Sequence, residues 1–71
     1  MPFVNIQIVG SATREQKERL VAEVTESLVT ILNKDRDRTT VVIQEVSSEN
    51  WGIGGLLRDE WVRRKEADGD R

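Results

Sequence analysis

Residues 14–33 carry the longest regular pattern in this 71-residue chain, and that pattern limits what the chain can become. Leu20, Val21, Val24, Leu28, Ile31 and Leu32 fall on one stripe of a 3.6-residue period, while Glu15, Lys17, Glu18, Glu23 and Glu26 lie mostly outside it. Thr13 is a good N-cap, Gln16 completes a capping box, and Asn33 can stop the helix in a left-handed conformation. A strand pattern flanks each end. Residues 3–9 alternate, with Val4, Ile6 and Ile8 on one face and Phe3, Asn5, Gln7 and Val9 on the other. Thr39 to Val46 is rich in β-branched residues, and Lys34 to Arg38 reads as a charged connection. Strand, long helix and strand predict two parallel strands joined by a right-handed crossover.

That unit is too small to stand alone. Two strands under one helix are not independently stable, and a domain of this length buries only about 60% of its unfolded surface. The expectation is one α+β domain over 1–71, a β-α-β protomer that associates with copies of itself or with a sister subunit.

Composition removes whole classes of chemistry. The chain has no cysteine and no histidine. Disulfide staples, thiolate nucleophiles, serine-histidine triads and the usual zinc and iron ligand sets are therefore excluded. No carboxylate cluster has the spacing of a metal loop, so no metal and no cofactor are expected. Eleven basic and thirteen acidic residues give a net charge of −2. Nucleic-acid binding prefers a basic face, and the one basic cluster, Arg63-Arg64-Lys65, reads as a solvated tail. No apolar run reaches the length of a membrane span and no signal peptide is visible, so a soluble, cytoplasmic protein is expected.

Two motifs remain. Asn50-Trp51-Gly52-Ile53-Gly54-Gly55 has three glycines in four residues. It lacks the spacing of a dinucleotide loop and the lysine of a phosphate loop, so a turn or short hairpin displaying Trp51 and Ile53 is the better reading. Leu56 to Val62 adds one or two helical turns, and 63–71 is a charged, loose tail. The second motif is Pro2, directly behind Met1. Removal of Met1 leaves a secondary amine at the terminus, a base that no internal residue offers.

Taken together, Pro2, Glu15-Gln16-Lys17, Val41-Val42-Ile43 followed by Glu45, and Gly52-Ile53-Gly54-Gly55 resemble the 4-oxalocrotonate tautomerases, the short-chain branch of the tautomerase superfamily. The resemblance covers about residues 2–62. It implies a hexamer built as a trimer of dimers, with Pro2 as general base in the ketonisation of a 2-hydroxy-dienoate or enol. An α-amino group titrates near 7.7–8.0, and an apolar wall lowers it toward the working pH. Phe3, Val9, Trp51 and Ile53, some from neighbouring subunits, can form that wall.

Two departures stand out. The family's two substrate-binding arginines correspond to Ala12 and Thr40 here. Arg38 is the first substitute, placed by strand alternation on the face of Thr40. Arg14 at the first helical turn is the second, and Arg36 a weaker third. A solvated surface role is open for all three. Trp51 stands where the family usually has phenylalanine. Trp61 reads as packing, and Asn5 and Glu45 are secondary candidates. The expected activity is keto-enol tautomerisation of an unsaturated 2-hydroxy or 2-oxo acid. An accessory subunit of a hetero-hexamer, or a hydratase-like or dehalogenase-like relative using Glu45 to activate water, are the alternatives.

Overall fold

A computed structural model describes residues 1–67. β1 (Phe3–Val9) leads into α1 (Arg14–Leu32), a 3-10 turn (Arg36–Arg38), β2 (Thr40–Val46) and a second 3-10 turn (Ser48–Asn50). A hairpin of β3 (Gly52–Ile53) and β4 (Leu56–Leu57) follows, and then α2 (Arg58–Ala67). β1 and β2 are parallel, with Phe3 opposite Thr40, Ile6 opposite Ile43 and Val9 opposite Val46. One bond beyond the strands at each end extends the ladder: the Thr40 N–H donates to the Pro2 carbonyl at 3.1 Å, and the Gly10 N–H to the Val46 carbonyl at 3.0 Å.

Local chemistry sets the limits of α1. The Thr13 side chain accepts from the Gln16 N–H, and the Gln16 side chain accepts from the Thr13 N–H at 2.9 Å. Asn33 ends the helix at φ 57°, ψ 43°, the left-handed region that asparagine tolerates. The hairpin turns on Gly54 and Gly55, both at positive φ, as a tight two-residue turn between antiparallel strands requires.

The apolar stripe of α1 is broader than its contact with the sheet. Val21, Val24 and Leu28 are half-buried; outside the expected stripe, Val29 is half-buried as well and Thr25 is buried. Leu20, Ile31 and Leu32 stay exposed, Ile31 at 76%. Among the described residues no hydrophobic side chain is fully buried. The radius of gyration is 16.4 Å, against about 11 Å for a compact 71-residue domain. One protomer therefore offers unpaired apolar surface on both its sheet and its helix. Among the described residues no helix is long and apolar enough to cross a membrane.

Two expectations need correction. Residues 63–67 are not a loose tail but the second half of α2, and residues 68–71 lie outside the described region. Glu60 explains the continued helix, because its carboxylate pairs with both Arg63 and Arg64, one turn on. The second correction concerns Arg38. It belongs to the 3-10 turn, where the Asp35 side chain caps the Asp37 N–H, so strand alternation does not set its direction.

Candidate active site

The candidate residues fall into two groups at opposite ends of the parallel strands. Pro2 lies at the first end, its carbonyl held by Thr40, the residue that begins β2. Arg38 is two residues before Thr40, within about 7 Å along the chain. Its Nε stands 3.9 Å from the Asp35 carboxylate, beyond hydrogen-bond reach, and its side chain is 73% exposed. Arg36, the weaker candidate, is committed elsewhere. Its guanidinium donates to Glu26 at 2.6 Å and ties the turn to α1. The Phe3 side chain, opposite Thr40 in the ladder, is 64% exposed.

Val9, Ala12, Arg14, Trp51 and Ile53 belong to the second end. Val9 closes β1 beside Val46, and the chain then turns through Ser47–Asn50 into Trp51 and the hairpin. Trp51 and Ile53 are half-buried, and the Trp51 carbonyl accepts from the Arg58 N–H at 2.7 Å, which fastens the hairpin to α2. Arg14 is an exposed cation, 3.8 Å from Glu18. A groove of about 490 Å³ runs along α1 here, lined by Arg14, Lys17, Glu18, Val21 and Ala22.

Seven residues of extended strand separate the two ends, about 20 Å at ~3.3 Å per residue. Pro2 and Arg38 therefore lie at the same end of the strands in one protomer, and Val9, Arg14, Trp51 and Ile53 do not join them there. Trp61 lies on α2 with the Lys65 ammonium 5.5 Å from its ring, a surface contact. Asn5 sits exposed on the open face of the sheet, next to the Gln7–Gln44 side-chain hydrogen bond of 3.0 Å.

Glu45 has a role that sequence reasoning missed. Its carboxylate accepts from Lys17 Nζ at 2.9 Å and from the Ala12 N–H at 2.8 Å. The bond from Lys17 and then the Ala12 amide hold this carboxyl below the ordinary carboxylate range. The three partners come from β2, α1 and the loop between β1 and α1, so no local pattern announces them.

This geometry belongs to a known family. A family model for tautomerase enzymes matches residues 2–59. The chain belongs to the tautomerase family. A probable tautomerase of Dickeya dadantii is 54% identical over 68 residues, covering 94% of this chain and 98% of the relative. The 2-hydroxymuconate tautomerase of Pseudomonas putida is 37% identical over 63 residues, covering 89% and 100%. The crystal structure of DmpI from Helicobacter pylori is similar to this tautomerase with a TM-score of 0.80 at 38% identity, covering 87% of this chain and 97% of that one.

Proposed function

We propose that this tautomerase interconverts the enol or dienol and keto forms of an unsaturated 2-hydroxy or 2-oxo acid, with Pro2 as general base once Met1 has been removed. The observation that carries this reading is the fixed position of residue 2. The bond from Thr40 anchors the Pro2 carbonyl, while Met1 is 89% exposed. Cleavage of Met1 then frees the ring nitrogen without disturbing the ladder.

In the reaction, the nitrogen lone pair takes the proton of the substrate 2-hydroxyl. The oxygen electrons form the carbonyl, the carbon-carbon double bond shifts, and the protonated proline returns the proton to carbon. Atoms and charge balance within the substrate, so the reading asks for no cofactor. A positioned base of this kind contributes about 10² to 10⁴ in rate. Arg38, held only in an exposed ion pair with Asp35 at 3.9 Å among the described residues, is the cation assigned to the substrate carboxylate.

The site is completed between chains. Association brings the Pro2–Arg38 end of one protomer against the Val9–Arg14–Trp51–Ile53 end of another, which supplies the apolar wall that lowers the proline pKa. The exposed Phe3, Leu20, Ile31 and Leu32 support such an assembly, and a hexamer of three dimers is the form we assign. A cytoplasmic location fits this reading.

A second reading is that the chain is one half of a hetero-hexamer. It is favoured by Ala12 and Thr40, the uncharged residues at the two positions where the resemblance implies substrate-binding arginines. A hydratase-like role for Glu45 is disfavoured, because its carboxylate is already committed to Lys17 and Ala12. Kinetics of the Pro2→Ala variant of the processed chain test the main reading: unchanged turnover excludes it.

A further inference from the structure

We propose that Glu45 is a positioning residue, whose carboxylate clamps the β1–α1 loop and the start of α1 to the end of β2 and so sets where Arg14 stands. The inference rests on the reading above, in which this end of one protomer completes the site of another.

Glu45 lies opposite Ile8 in the ladder, on the face that α1 covers. Its two oxygens act separately: Oε1 takes the Lys17 ammonium from the first turns of the helix, and Oε2 takes the Ala12 amide from the loop. Gly10, at the start of the same loop, is already fastened to Val46. Residues 10–17 are thus tied to the last two residues of β2 by three bonds, two of which end on one carboxylate. Among the described residues the Ala12 N–H has no other acceptor. Arg14 follows two residues later and forms the end of the groove along α1.

The Lys17 and Glu45 side chains are 37% and 32% exposed, and an ion pair so accessible contributes little to stability. Its consequence is placement. A displacement of about 1 Å in a substrate-holding group can cost roughly 10²-fold in rate. The defect expected on losing the clamp is therefore in substrate binding, with the chemistry of Pro2 intact.

The test compares Glu45→Ala, Glu45→Gln and the parent chain in the assembled protein. Amide hydrogen exchange at Ala12 and steady-state ketonisation of 2-hydroxymuconate are both measured. Glutamine keeps an oxygen for the Ala12 N–H and replaces the charged partner of Lys17 by a neutral one. The proposal expects Glu45→Ala to speed Ala12 exchange at least about tenfold. It also expects KM to rise about tenfold or more, with kcat within about threefold. In Glu45→Gln, Ala12 protection and most of the KM return. Unchanged Ala12 exchange in Glu45→Ala overturns the clamp. A fall in kcat at constant KM overturns the positioning role, and so does a Glu45→Gln variant as impaired as Glu45→Ala. If the parent chain shows no turnover, the function proposed above fails, and the exchange arm still decides whether the clamp exists.

Discussion

The Thr40 N–H holds the Pro2 carbonyl at 3.1 Å, so the Pro2–Phe3 peptide group, directly after the proline ring, is part of the β1–β2 ladder. The ring nitrogen is one residue's geometry away from that anchor. A terminal base is useful only if it is held still, and this bond removes most of the fraying that chain ends show.

Arg38 should act on substrate rather than on folding. Its side chain is exposed and, among the described residues, meets only the Asp35 carboxylate, at 3.9 Å. A hydrogen bond to a charged group contributes about 1.5–3 kcal/mol, or roughly 10- to 150-fold. Arg38→Ala is expected to lower kcat/KM by that factor, mainly through KM, with thermal unfolding unchanged. Steady-state kinetics and a melting curve check it. A variant that melts early with normal KM would show that Arg38 is a structural residue.

A composite site has a consequence that single variants do not. Pro2→Ala and Arg14→Ala damage opposite ends of the protomer, about 20 Å apart along the strands. When the two variants are unfolded together and refolded as mixed oligomers, some sites combine an intact Pro2 from one chain with an intact Arg14 from another. Activity above that of either variant alone is expected. Activity equal to their average would place both residues in the same chain's site.

The hairpin turn carries a backbone cost that can be measured. Gly54 and Gly55 have φ of +59° and +87°, and a Cβ at either position meets nothing within 4 Å. Space is not the obstacle; the left-handed backbone is, at about 1–2 kcal/mol for an ordinary residue. Gly55→Ala is expected to lose about that much in urea unfolding, and Gly54→Asn less, since asparagine tolerates this region. Equal stability of all three chains would contradict the assigned turn.

Acid should weaken the fold in a defined window. Arg36 and Thr30 hold the Glu26 carboxyl below its ordinary range, Lys17 and the Ala12 amide do so for Glu45, and Arg64 and Arg63 for Glu60. Each is depressed in the folded state, so its contribution is present above the unfolded value near 4.3 and is lost as pH falls through the lower folded value. Melting temperature is expected to be level from about pH 7 to 5 and to fall below about pH 4. The share of Glu45 in that fall should be small, because its pair with Lys17 is accessible to water. A melting temperature that rises on acidification would reverse the assigned sign.

Features written in neighbouring residues were legible in the sequence. The Thr13–Gln16 box, the Asn33 stop and the Gly54-Gly55 turn each depend on groups a few positions apart, and the parallel pairing followed from the long helix between two strands. The length of α2 was present in the Glu60, Arg63 and Arg64 spacing but was masked by the charge of the segment. Arg38 was misplaced because one capping aspartate, Asp35, converts the approach to β2 into a 3-10 turn. Leu20, Ile31 and Leu32 fit the same stripe as Val21 and Leu28, and a single sequence does not separate contact within a chain from contact between chains. The joining of Glu45, Lys17 and Ala12 spans up to 33 positions and depends on the packed arrangement of three elements.

The most direct measurement is the rate of 2-hydroxymuconate ketonisation by the assembled chain and by its Pro2→Ala variant, after intact mass shows that Met1 is absent from both. The account predicts turnover well above buffer for the parent chain and a loss of about 10²-fold or more in kcat for the variant, as expected when a positioned base is removed. Equal rates for the two proteins would contradict the central claim that the nitrogen of Pro2 is the base.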